Sequence, residues 1–174
     1  VYNGRRAIKM LDTAKTQVAI PEYHGFDLFE DLGEEGYQAE LSKMPLSESE
    51  IKTLLESTGA KINLYRGNTL EVLPKLVSDL PKVDFIFIDG GHSNETIAND
   101  WKYTSQLMHD DTVVLFDDYW RNRTDGGCKL LIDALDRNEY DVTVLPEIDR
   151  FKNPDFGLVE ISFAKVTKKK KELD

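Results

Sequence analysis

The chain has a single cysteine, Cys128, among its 174 residues. One thiol excludes an internal disulfide framework and a cysteine-rich zinc site, and it suits a reducing compartment, the cytoplasm. Long hydrophobic runs are missing too. The apolar stretches 85–88 and 112–116 are strand-sized, far below the roughly 18 residues of a membrane-spanning helix. No basic-then-apolar signal segment stands at the start. Positive charge is scarce: 22 Lys and Arg face 32 Asp and Glu, for a net charge of −10. Lys165, Lys168, Lys169, Lys170 and Lys171 crowd the last ten residues, which leaves 17 basic against 30 acidic residues in the first 164. A body that acidic repels phosphate backbones, which argues against nucleic acid as its partner. Residues 167–174 read as a solvated, disordered lysine-rich tail behind a domain spanning 1–166. A composition of 40% hydrophobic and 31% charged residues is enough for a packed core.

What is present alternates. Apolar spacing predicts a helix over 4–16, then a short strand at Glu22–Phe26 ending on Asp27. Residues 28–47, acidic and carrying Gly33, Gly36 and Pro45, read as a surface excursion. Ser47 with Glu50 forms a capping-box signal for a helix over 48–57, and Gly59 follows as its C-cap. A strand at Lys61–Arg66 turns through Gly67-Asn68-Thr69 into a helix over 70–78. Val83–Ile88 is a third strand, Asp89-Gly90-Gly91-His92 a turn, and Ser93 the cap of a helix over 94–108. Thr112–Phe116 is a fourth strand, ending in Asp117-Asp118-Tyr119-Trp120. Gly126-Gly127 leads into a helix over 128–137, and strands at 142–145 and 158–166 flank a polar loop with Asn153-Pro154. Strands separated by helices predict a doubly wound, mostly parallel α/β sheet. The last two strands leave no room for a helix and should be antiparallel.

In such sheets ligands bind beyond the carboxyl ends of the strands. The unusual polar residues fall there: Asp27, Asn68, Asp89 with His92, and Asp117 with Asp118. Any one of them alone reads more readily as turn chemistry. Together they would crowd carboxylates on one sheet edge, which is costly without a neutralising cation. Three carboxylates suit Mg²⁺, Mn²⁺ or Ca²⁺, while one His and no Cys argue against structural zinc. Consecutive strand residues point to opposite faces, so Asp117 and Asp118 reach one ion only where the strand ends and the chain turns.

From Asp84 through the Asp89-Gly90-Gly91-His92 turn to Asp117-Asp118-Tyr119, the chain resembles the class I S-adenosylmethionine-dependent methyltransferases. Within them it is similar to the metal-dependent small-molecule O-methyltransferases. Tyr23–Asp27 and Gly67–Leu70 with Leu73-Pro74 resemble flanking segments of the same family. The resemblance implies a Rossmann-like sheet in the order 3-2-1-4-5-7-6, last strand antiparallel. It also implies that the first strand and most of a Gly-rich loop are missing ahead of Val1-Tyr2-Asn3-Gly4. Carried over, Asn3 and Gly4 would be the tail of the cofactor loop and Asp27 would hold the ribose hydroxyls. Asn68 and Thr69 would line the adenine pocket. Asp89, assigned to cofactor, metal and catalysis alike, would bind Mg²⁺ with Asp117 and Asp118, and His92 would be the base or orienting group.

The implied reaction is methyl transfer from a sulfonium to a hydroxyl of a small molecule, assisted by a divalent metal. A homo-oligomer is compatible with this, and neither nucleic acid nor membrane is an expected partner. Two rivals use the same residues: a metal-dependent phosphohydrolase, and a degenerate methyltransferase fold without catalysis. The absence of a P-loop signature disfavours nucleoside triphosphates. His92 has a plainer reading as a turn residue, Tyr119 and Trp120 as either acceptor wall or core, and Cys128 as buried.

Overall fold

The computed structural model describes residues 1–31, 46–153 and 157–170. Most of the acidic excursion (32–45), part of the polar loop (154–156) and residues 171–174 of the tail lie outside them. The chain divides into two compact units, Val1–Val72 and Leu73–Asp174. The α/β, Rossmann-like class expected from the alternation is what forms, as strands joined through helices in both units. No helix among the described residues is long and apolar enough to cross a membrane.

In the first unit, α1 (Arg5–Ala14), β1 (Glu22–Asp27), α2 (Glu48–Glu56) and β2 (Lys61–Arg66) precede α3 (Thr69–Leu76), which crosses the boundary. β1 and β2 pair in parallel, from Glu22 opposite Lys61 to Asp27 opposite Arg66. Their core gathers Ala7 and Leu11 of α1, Ile51 and Leu55 of α2, and Phe29, with Tyr23, Ile62 and Leu64 packed against it. Ser47 and Glu50 make the expected capping box, each side chain accepting the other's backbone N–H. α1 has no side-chain cap and starts instead from Gly4 at φ 74°. A Cβ there would lie 2.9 Å from Leu54 Cδ2, so both the left-handed backbone and the close packing call for glycine.

The second unit carries β3 (Val83–Ile88), α4 (Asn94–Thr104), β4 (Met108–Trp120), α5 (Lys129–Ala134), β5 (Tyr140–Val144), β6 (Asp149–Asn153) and β7 (Gly157–Lys168). β3 pairs in parallel with β4. β7 lies antiparallel between β4 and β5 and also pairs with β6. The antiparallel final pair is as expected. Its core sets Ile86 and Ile88 with Ile97, Trp101, Val114, Phe116, Ile132, Ala164 and Val166.

Ladder bonds form two sheets, with neighbours β1-β2 in one and β3-β4-β7-β5 in the other, β6 being added on β7. Three expectations need correction. β6 replaces a polar loop, held by its ladder to β7 and the Arg150–Glu160 ion pair at 2.7 Å. α4 stops at Thr104, and Met108 already pairs with Val83, so β4 is longer than its apolar run. β7 passes residue 166: the Lys168 ammonium donates to the Met108 carbonyl at 3.1 Å, and Lys169 N–H donates to Glu139 at 2.8 Å.

Candidate functional site

The polar strand ends are divided between the units. In the first, Asp27 closes β1, with its carboxylate taken up locally. Oδ2 accepts from the Val1 amino group at 2.6 Å and the Tyr2 N–H at 2.9 Å; Oδ1 accepts from the Phe29 N–H at 2.9 Å. Burial alone would push this carboxyl up. The nitrogen donors of Val1, Tyr2 and Phe29 outweigh it and hold Asp27 below the usual carboxylate range. Of about four acceptor positions on a carboxylate, three are filled. Asn3 Oδ1 accepts from Arg5 N–H at 3.2 Å, and Asn68 Oδ1 from Leu70 N–H at 3.0 Å. Asn68 thus caps α3, whose first residue is Thr69.

The Asp27 arrangement has a measurable acid signature. A carboxyl depressed in the folded state contributes stability that is complete above its unfolded value, about 4, and is lost as pH falls through the folded value. Asp27→Asn should therefore lower unfolding stability at neutral pH by roughly 1.5–3 kcal/mol, the range for hydrogen bonds to a charged group. It should also flatten the decline below about pH 4. Urea unfolding at pH 7 and pH 3 reads both; equal loss at the two pH values would contradict the assignment.

The second unit brings Asp89, Asp117 and Asp118 together. One carboxylate oxygen from each lies within 4.8 Å of the others. Asp89 follows β3 and is exposed, whereas Asp117 is 9% exposed. His92 joins them, its Nε2 2.9 Å from Asp118 Oδ2. Ile88, Gly90, Gly91, Ile97, Phe116 and Cys128 complete a recess of about 10 Å³, close to the space one water-sized sphere requires. A hard cation fits such a donor set of oxygens, and a substrate does not fit inside the recess.

Two neighbouring aspartates share one site for a reason that corrects the expectation of a strand end. β4 does not end at Phe116 but continues to Trp120. Phe116 pairs with Ala164 and Tyr119 with Ser162, so three steps on β4 match two on β7, which is a β-bulge. Asp118 sits at φ 56°, a left-handed conformation in which Asp is enriched among non-glycine residues. Its N–H donates to Asp117 Oδ1 at 2.9 Å.

Around the bulge several side chains play parts the sequence did not disclose. The Tyr119 hydroxyl donates to Asp133 Oδ1 at 2.8 Å, and the Lys129 ammonium reaches Asp133 Oδ2 at 2.7 Å and the Tyr119 hydroxyl at 3.0 Å. Arg121 donates to Ser162 Oγ and to the Leu145 carbonyl, both at 2.8 Å. Asn94 Nδ2 donates to the Thr124 carbonyl at 3.2 Å. The Arg123 guanidinium lies 5.3 Å from the centre of the Trp120 ring. The one advance signal was the Lys129–Asp133 spacing of four on a helix. Tyr119 and Trp120 are both buried, at 8% and 4% exposure. Cys128 is buried as expected; burial, then the Asp118 charge, pushes its thiol up and keeps it protonated.

Comparison with known proteins adds the following. A family model described as a methyltransferase domain matches residues 1–119. The chain is similar in structure to the O-methyltransferase TomG of Streptomyces achromogenes in complex with SAM, at 14% identity and a TM-score of 0.52, over 93% of this chain and 80% of that one. It is similar to a precorrin-6y C5,15-methyltransferase of Geobacter metallireducens at 13% identity and 0.50, over 95% and 88%. A putative rRNA-methylase of Clostridium thermocellum matches at 11% and 0.50, over 98% of each chain. No curated protein matches by sequence. At these identities the structural likeness is one of fold.

Proposed function

Because the chain belongs to the methyltransferase-domain family, we propose that it transfers the methyl group of S-adenosylmethionine to a hydroxyl of a small molecule, assisted by a divalent cation. The observation that carries the finer reading is the cluster of Asp89, Asp117 and Asp118 oxygens with His92 bonded to one of them. Asp89, Asp117 and Asp118 would hold Mg²⁺ or a similar hard cation, which would lower the pKa of an acceptor oxygen and orient it.

The chain's own residues do the rest. Asp118 on Nε2 places the imidazole proton on that nitrogen and leaves the basic lone pair on Nδ1. His92 takes the hydroxyl proton at Nδ1, and the Asp118 carboxylate stabilises the imidazolium that results. In the transfer the bond from sulfur to methyl breaks as the bond from oxygen to methyl forms. Asp27 is assigned to the ribose hydroxyls through its remaining acceptor position, Asn68 and Thr69 to the adenine, and Asn3 and Gly4 to the methionine end. Asp89 serves the cation and borders the cofactor.

Calorimetry with S-adenosylhomocysteine, with Mg²⁺ and with chelator, tests the cofactor half. Mass-spectrometric screening of hydroxylated acceptors with S-adenosylmethionine tests the rest. Saturable binding in both conditions, with methylation only when Mg²⁺ is present, is expected. A folded sample that binds no S-adenosylhomocysteine would sink the reading, and methylation undiminished by chelator would remove the cation from it.

A further inference from the structure

The sequence marks Gly126-Gly127 only as the lead into a helix, yet both residues are buried beside the carboxylate cluster. Gly127 N–H donates to the His92 carbonyl at 2.9 Å, and the next N–H, that of Cys128, donates to the Asp118 carbonyl at 3.0 Å. Two successive backbone donors therefore grip the two segments that carry the candidate groups. One is the turn after β3, bearing His92; the other is the bulge of β4, bearing Asp117 and Asp118. We propose that Gly126-Gly127-Cys128 is a positioning clamp that sets the distance between His92 and Asp118 and keeps both bulge carboxylates on one site.

The geometry allows only glycine at the centre of this clamp. Gly127 has φ 72°, and a Cβ there would lie 2.3 Å from the Asp118 carbonyl oxygen and 2.9 Å from Cγ and Cδ1 of Trp120. Real Cβ atoms do not approach backbone oxygen so closely, so any side chain displaces Asp118 itself. At Gly126 a Cβ would meet Cζ3 and Cη2 of Trp120 at 2.9 Å and the His92 carbonyl at 3.2 Å. The clamp also accounts for the left-handed Asp118. Such a backbone conformation is costly outside glycine and persists only where its surroundings over-determine it. Here the Asp117 carboxylate holds its N–H and Cys128 holds its carbonyl. None of the three clamp residues is assigned to substrate; they act through His92 and Asp118. The functional half of this inference rests on the reading of the carboxylates as cation ligands.

The test uses Gly127→Ala, with Gly126→Ala as a milder second variant should the first fail to fold. Two readouts are followed at one fixed pH: Mn²⁺ affinity by electron paramagnetic resonance, and the ¹⁵N–¹H resonances of the imidazole rings. The chain has three histidines, and His24 and His109 serve as internal references for an intact fold. Gly127→Ala should keep the circular dichroism and both reference resonances, shift that of His92, and weaken Mn²⁺ at least tenfold. Gly126→Ala should do less, and Trp120→Phe, which removes the two ring atoms it strikes, should restore the double variant to the level of Trp120→Phe alone. Folded variants with the parent's Mn²⁺ affinity and an unmoved His92 resonance overturn the clamp. If the parent takes up no Mn²⁺, the cation reading fails by itself. The His92 resonance then decides alone: a shift supports the clamp, and identity with the parent rejects it.

Discussion

Asp118→Asn should fold as the parent does and lose methyl transfer by roughly 10²–10⁴-fold in kcat/KM, the contribution typical of the proton transfer that His92 makes with Asp118 behind it. At 1.36 kcal/mol per decade this is about 3–5 kcal/mol of transition-state stabilisation. The substitution is chosen because it separates charge from shape. Asn matches Asp in size and tolerates the left-handed backbone that Asp118 adopts at φ 56°. Its amide oxygen still accepts from Trp120 Nε1, now at 3.4 Å from Oδ1. What disappears is the negative charge 2.9 Å from His92 Nε2 and one of three oxygens in the cluster. Stability should change by no more than about 1 kcal/mol, while Mn²⁺ affinity falls with activity. Asp118→Ala would confound the two by placing a side chain without polar atoms in a strained conformation. If His92 and Asp118 act as a unit, adding His92→Gln to Asp118→Asn should cost little more than the worse single change. Multiplying losses would mean that the two side chains serve separate steps. Activity within twofold of the parent would remove Asp118 from the chemistry altogether.

The residues that cluster there were legible in the sequence as candidates; the device that joins them was not. Asp89 and His92 follow an apolar strand, β3, whose bounds the sequence marked correctly at Val83–Ile88. β2 was equally plain, as a strand bounded by turn residues at Gly59 and Gly67. Asp117 and Asp118 were visible as residue types, but period-two alternation sends neighbours to opposite faces. The bulge that overrides it comes from pairing with Ser162 and Ala164, more than 40 residues away. Nothing local encodes that register. β6 escaped notice for a related reason. Asp149-Arg150-Phe151-Lys152-Asn153 has one apolar residue, and it becomes a strand because β7 supplies its hydrogen bonds and Glu160 pairs with Arg150. Asp27 was recognisable at a strand end, whereas two of its three donors come from residues 25 and 26 positions away. Gly126-Gly127 offered a dipeptide that reads as a turn wherever it occurs; its meaning lies in the carbonyls that face it.

Phe116→Ala should cost about 3–5 kcal/mol of unfolding free energy, the range for emptying a fully buried aromatic site. Phe116 has 0% exposure in the core of the second unit and packs at 5.7 Å, tilted by 49°, against Trp101. Trp101 meets Tyr140 edge-on at 5.3 Å, so the ring is one of a chain of aromatics that cannot collapse without moving β5. Against a typical total of about 5–15 kcal/mol the loss is roughly a fifth or more. Phe85→Ala supplies the control, for Phe85 lies on the adjacent strand at 43% exposure. Its removal should cost under about 1 kcal/mol. Both tryptophans of the chain, Trp101 and Trp120, lie in this unit, so urea unfolding followed by tryptophan fluorescence reads the difference where it arises. Phe116 also precedes the bulge directly. Its ring fixes the last regular pair of β4 with β7, Phe116 opposite Ala164, and from that pair the extra residue is counted. Even at temperatures where Phe116→Ala remains folded, its Mn²⁺ affinity should therefore fall, while that of Phe85→Ala stays at the parent value. Equal stability losses at the two phenylalanines would mean that the core lies elsewhere, and unchanged Mn²⁺ affinity in Phe116→Ala would mean that the bulge is held by its own hydrogen bonds without the ring beneath it.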